Sequence, residues 1–118
     1  MEIFRTEEYI KMENPTPGLH LKQYIITDQQ KAKDMGGIFV ALAPGSQRPY
    51  HYHDKRESII IALSGEATEI IEGEEIPIKA NEVLYIPALE KHTVENRTDK
   101  EFRYFEFFTY PEEVPTLL

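Results

Sequence analysis

GSQRPYHYHDKRESIIIALSG, residues 45–65, begins and ends on a glycine, sets His51 and His53 one residue apart, and then runs into an isoleucine-rich stretch. Residues two apart on an extended strand point to the same face, so a strand through His51-Tyr52-His53 converges both imidazoles on one point. The run Glu57 to Leu63 that follows is short and rich in β-branched residues, the composition of a strand. The same pattern continues outward in both directions. Short apolar runs bounded by Gly, Pro, Asn and Asp occur at Leu19 to Thr27, Ile38 to Leu42, Ala67 to Ile71, Glu74 to Ile78, Val83 to Ile86, His92 to Glu95 and Phe102 to Thr109. Glu72-Gly73 separates two of these runs by a two-residue turn, which predicts a hairpin. Helical periodicity is confined to Asp28 to Met35, enough for a turn or two. The expected class is therefore all-β, a sandwich or barrel.

With 118 residues, a second independent core would leave each half marginal, so one domain over residues 1–118 is expected, its barrel core at about 38–109. Seven Tyr and six Phe supply most of the large core side chains. A net charge of −8 and a pI near 5.0 argue against a nucleic-acid partner, which needs clustered Lys and Arg to neutralise phosphates. The chain has no cysteine, which excludes disulfides, thiolate zinc sites, iron–sulfur clusters and a thiol nucleophile. No stretch approaches the roughly 20 apolar residues of a membrane span. The charged start MEIFRTEEYIKMENP is unlike a signal peptide, so no membrane partner and a cytoplasmic location are expected.

A second pattern lies at NEVLYIPALEKHTVEN, residues 81–96, where His92 and Asn96 stand with three residues between them. Taken with Gly45, His51, His53, Glu57 and Gly65, this resembles the cupin superfamily. Its first motif reads G-x5-H-x-H-x3or4-E-x6-G and its second G-x5-P-x-G-x2-H-x3-N. The resemblance implies a double-stranded β-helix, or jelly-roll, barrel. It also implies a divalent transition metal, Fe, Mn, Zn, Ni or Cu, held by His51, His53, His92 and a glutamate. Three imidazoles with or without a carboxylate leave open coordination positions, as a catalytic site requires. The function this implies is a small-molecule metalloenzyme of dioxygenase or isomerase type acting on a metal-chelating substrate. The alternative is a cupin that binds or senses a small ligand without turnover.

The chain departs from the motifs in three places. Asn81 and Leu89 replace the two glycines of the second motif, and Leu89 predicts a reshaped loop before His92. The carboxylate is ambiguous: counting forward from His53 selects Glu57, and counting back from Gly65 selects Ser58. Alternation favours Glu57, because an inward Glu57 also brings Ile59, Ile61 and Leu63 inward. Arg48, Tyr50 and Tyr85 lie close to the ligand strands and are candidate pocket residues. A planar guanidinium near an open metal site suits a carboxylate ligand, which makes Arg48 the leading anchor. His20 matches no motif position and reads as an edge histidine. Phe102 to Thr109 is aromatic on both alternating faces, so its outer face is covered either by the chain's own N-terminal segment or by a second subunit; the family resemblance favours a homodimer. The tail Pro111 to Pro115 reads as loose.

Overall fold

A computed structural model describes residues 1, 3–5, 20–26 and 32–118. Ten strands follow one another: β1 (His20–Ile26), β2 (Met35–Leu42), β3 (His51–Tyr52), β4 (Ser58–Ser64), β5 (Glu66–Ile71), β6 (Glu74–Lys79), β7 (Val83–Ile86), β8 (His92–Glu95), β9 (Phe102–Thr109) and β10 (Thr116–Leu117). They form two five-stranded antiparallel sheets, ordered β1-β2-β9-β4-β7 and β10-β3-β8-β5-β6. Apart from the β1–β2 and β5–β6 pairs, successive strands alternate between the sheets, which is the jelly-roll winding. No helix occurs among the described residues, and hence none long and apolar enough to cross a membrane. Residues 28–31 of the expected helical turn lie outside the described residues, and Met35 already belongs to β2.

Residues with positive φ define how the strands turn. Glu72 and Gly73 both have positive φ, 48° and 82°, the geometry of the tight hairpin expected between β5 and β6. Gly65 has φ 82°, and a Cβ there would stand 2.4 Å from the Glu101 carbonyl oxygen. Only glycine fits between β4 and the start of β9. Leu89 takes φ 71° and Asn81 φ 73°, so both substituted positions keep the left-handed backbone that glycine would supply. The loop before His92 is built by strain at Leu89 of about 1 kcal/mol rather than by a change of backbone.

The space between the sheets is filled mainly by the larger sheet-spanning residues of β2 and β9: Val40, Leu42, Phe102, Tyr104 and Phe108. Their bulk decides the facing of β4. Ser58, Ile60 and Ala62 are buried, while Ile59, Ile61 and Leu63 lie on the other face. The inward row of β4 is small because the aromatics of β9 opposite it are large, with Ser58 paired to Phe108 and Ala62 to Tyr104. The expectation of an inward Glu57, Ile59, Ile61 and Leu63 is therefore corrected. It treated one face of β4 as apolar, whereas this sheet is apolar on both. On the outer face Phe105, Phe107 and Leu63 pack with Phe39, Ile25, Ile26 and Phe4, so the chain's own N-terminal residues meet the second aromatic row of β9.

The tail is also different from expectation. The Glu113 carboxylate accepts the backbone N–H groups of Lys55 and Arg56, at 3.1 Å each. The Arg56 guanidinium donates in return to the carbonyls of Tyr110, Pro111 and Glu113. β10 then pairs with β3, Thr116 opposite Tyr52 and Leu117 opposite His51. These reciprocal bonds fasten residues 110–117 across the barrel mouth, where the sequence pattern suggested a loose end.

Candidate functional site

β3 and β8 are neighbours in register, with His51 directly opposite His92. Their rings lie 4.4 Å apart between centroids, and His51 and His53 lie 5.3 Å apart, nearly perpendicular. All three line one cavity of about 270 Å³ inside the barrel. Their tautomers follow from their partners. His51 Nδ1 lies 2.7 Å from the Pro49 carbonyl and His92 Nδ1 lies 2.9 Å from the Glu90 carbonyl. A carbonyl only accepts, so each Nδ1 carries the hydrogen and each Nε2 keeps its lone pair.

His53 is held differently. Its Nε2 lies 3.5 Å from Arg56 Nη1, which can only donate, so its hydrogen is on Nδ1 as well. That Nδ1 is 3.4 Å from Glu113 Oε1, within ion-pair distance, yet it is buried without a hydrogen-bond partner. Burial, Arg56 and His51 lower His53 from 6.5 to about 4. Burial, His92 and Arg48 lower His51 to about 4 against the opposing pull of the Pro49 carbonyl. Both rings are therefore neutral at neutral pH. Among the described residues no three His, Asp or Glu side chains are already closed around one point in metal-ligand geometry; Arg56 stands at the nitrogen that His53 would offer.

The other expected site residues divide. Arg48 lines the cavity and donates from Nη1 to the Tyr104 hydroxyl at 3.1 Å, with its Nε buried and unpartnered. Glu57 is exposed and accepts the Tyr85 hydroxyl on the outside of the sheet. It is therefore not brought to the histidines; Ser58, on the inner face, occupies the inward position beside it. Tyr85 is 58% exposed, because it pairs with the outward Ile59. Tyr50 does not line the cavity either, since inward His51 turns its neighbours outward. The side chain of His20 lies outside the described residues.

Sequence reasoning missed the acids and the second arginine of the cavity: Arg56, Glu69, Glu106 and Glu113. Two carried a readable signal. Glu69 is in phase with the inward Ala67, and Glu106 with Phe102, Tyr104 and Phe108, so each is a lone acid on an apolar face. Arg56 and Glu113 carried none, because their place depends on the tail folding back.

A model of the Cupin domain family matches residues 38–108. A protein of Thermotoga maritima named oxalate-binding protein is 38% identical over 52% of this chain and 52% of its own length. The tetracenomycin polyketide synthase protein TcmJ of Streptomyces glaucescens is 29% identical over 49% of this chain and 39% of its own length. The chain thus matches about half or less of these two relatives. A solved structure of an uncharacterized protein with a double-stranded beta-helix domain from Klebsiella pneumoniae is similar with TM-score 0.81 and 19% identity, covering 98% of this chain and 89% of that one.

Proposed function

The chain belongs to the cupin family, and from that premise we propose that its histidine pocket holds a divalent transition metal and, on it, a small carboxylate-bearing ligand. The observation that carries the reading is the pair His51 and His92. Facing each other across β3 and β8, both are locked by backbone carbonyls in the tautomer that leaves Nε2 to the cavity. Anchoring Nδ1 to an acceptor is how metal-ligating histidines are oriented and made more basic. His53, neutral and with Glu113 beside its Nδ1, is the third nitrogen once Arg56 moves off Nε2. Fe, Mn, Zn, Ni and Cu all suit such a set. When bound, the ion supplies Lewis-acid polarisation of a chelating carboxylate or carbonyl.

The protein's own groups select the ligand. Arg48 Nε and Arg56 Nε are both buried without partners, and both side chains line the cavity. Unsatisfied buried donors cost about 1–3 kcal/mol each, a cost that an anion with acceptor oxygens removes. Arg48 is accordingly the anchor for a carboxylate. The name of the Thermotoga relative supports a small dicarboxylate as the first probe. Turnover of dioxygenase or isomerase type is the activity expected of an open site of this kind. The second reading, binding without turnover, is favoured by that same name. We also expect one domain over residues 1–118, a cytoplasmic location, no nucleic-acid or membrane partner, and a homodimer, which sedimentation equilibrium would test.

The test begins with elemental analysis of protein purified without chelators, beside the His51→Ala/His92→Ala variant. Near one equivalent of a first-row metal in the wild type, absent from the folded variant, supports the site; no metal in the wild type even after reconstitution overturns it. Oxalate should then raise the melting temperature of the loaded protein only. Consumption of a chelating substrate by the loaded protein separates enzyme from binding module.

A further inference from the structure

Glu69 lies mid-strand in β5, between Ile76 of β6 and Val94 of β8, and faces into the barrel in phase with Ala67. It is 1% exposed, and its Oε2 is buried without a hydrogen-bond partner. It lines the same cavity as the histidines. An orphaned carboxyl oxygen in a sealed core is rare and costly, and here it borders an open volume. The cavity's charges explain what state it is in. Arg48 is the cation that acts on Glu69, and Arg48 faces a second carboxyl, Glu106, as well as the Tyr104 hydroxyl to which it is bonded. Arg56 is drawn off to the tail carbonyls and the Phe108 ring, Glu113 to the backbone of Lys55 and Arg56, and His51 and His53 carry no charge. Arg56 also acts on Glu106 but not on Glu69; among the described residues Glu69 therefore has only Arg48, shared with Glu106, and this deeper carboxyl retains a proton.

We infer that Glu69 is a neutral buried acid that gives its proton to the anion held in the histidine pocket. The inference rests on the anion-binding reading above and names a catalytic group that the cupin motifs do not contain. A neutral carboxyl is a hydrogen-bond donor, so its hydroxyl bonds to an acceptor oxygen of the ligand. Transfer breaks the O–H bond of Glu69 and forms an O–H bond on the ligand oxygen that accepted the hydrogen bond. The electron pair stays on Glu69, whose new negative charge Arg48 stabilises. No oxidant or reductant takes part. The acid strength agrees: burial and Glu106 push Glu69 up to about 8, against the opposing pull of Arg48, the range where a general acid serves best near neutral pH.

The experiment is calorimetric titration of the Zn(II)-loaded protein with oxalate between pH 6 and 9.5, in buffers of differing ionisation enthalpy, for wild type and Glu69→Gln. Wild type should hold its affinity up to about pH 8 and lose about tenfold per pH unit above it, taking up one proton per ligand bound at pH 9. Glu69→Gln, which keeps a donor but cannot titrate, should bind at pH 6 and show neither the decline nor the uptake. As an independent readout, the ¹³C carboxyl signal absent from the Gln variant should titrate near pH 8 in the metal-free protein. Identical pH profiles in the two proteins, or a Glu69 signal titrating in the ordinary carboxylate range, overturn the inference while the anion site stands. Failure of oxalate to bind either protein at pH 6 overturns the anion site and the inference together.

Discussion

Two regions of this barrel bury polar side chains, and they treat them in opposite ways. At one end Asn96, fully buried, donates from Nδ2 to the carbonyls of Leu42 and Lys100 at 2.9 and 2.7 Å. Its Oδ1 accepts the backbone N–H and the hydroxyl of Thr98 at 3.0 and 2.7 Å. Every hydrogen-bonding group of that amide is used, and the result is a clasp joining the end of β2 to the turn between β8 and β9. In the histidine pocket four buried atoms, Arg48 Nε, Arg56 Nε, His53 Nδ1 and Glu69 Oε2, have no hydrogen-bond partner. A saturated buried amide serves the fold, whereas clustered unsatisfied groups around a cavity are a cost that the fold carries for a ligand.

Asn96→Leu is the harshest way to probe that contrast. It strands the carbonyls and the N–H it served and is expected to cost about 3–5 kcal/mol in urea denaturation. Glu69→Leu, in the other region, removes an orphaned acid and should leave stability unchanged or raise it by about 1–3 kcal/mol. Equal losses from the two substitutions would erase the distinction. Next in size is Glu113→Ala, which removes the carboxylate beside His53 Nδ1. Competition with a chromophoric chelator should show metal affinity down about 10–100-fold, as for other groups that orient a ligand histidine.

Acidity gives a subtler separation. Folded Glu69 keeps its proton up to about pH 8, while the unfolded chain releases it near 4.5. The folded state therefore binds more protons across that window, and this residue's contribution to stability falls as pH rises through it. His51 and His53 act oppositely: folded they titrate near 4, unfolded near 6.5, so their contribution is lost as pH falls from 6.5 toward 4. Melting curves should show the decline between pH 6.5 and about 8 disappear in Glu69→Gln and the decline below pH 6.5 persist. The smallest effect is expected outside the barrel. Glu57→Gln should leave metal content unchanged and stability within about 0.5 kcal/mol; a loss of metal would mean that Glu57 reaches the histidines after all.

Much of this was readable one strand at a time. The runs at Val83 to Ile86, His92 to Glu95 and Phe102 to Thr109 are strands at the bounds their composition indicates, and Glu72-Gly73 turns where a two-residue hairpin requires. Misreadings arose where alternation alone was asked to choose a face. β4 has isoleucine in both registers, so its facing follows from the aromatics of β9 across the pair, and Glu57 follows Ile59 outward. Tyr85 goes outward with them.

The sequence by itself determined the class of fold, because strand period and turn glycines are local properties that each segment carries alone, and it grouped His51, His53 and His92 through the resemblance of its two motifs to those of cupins. Only the tertiary structure decided which acids face those histidines. Whether Glu57 points out, Glu69 lies buried and Glu113 returns from the tail depends on volumes and hydrogen bonds shared between residues far apart in the chain. Such matches exist only once the two sheets have closed on each other.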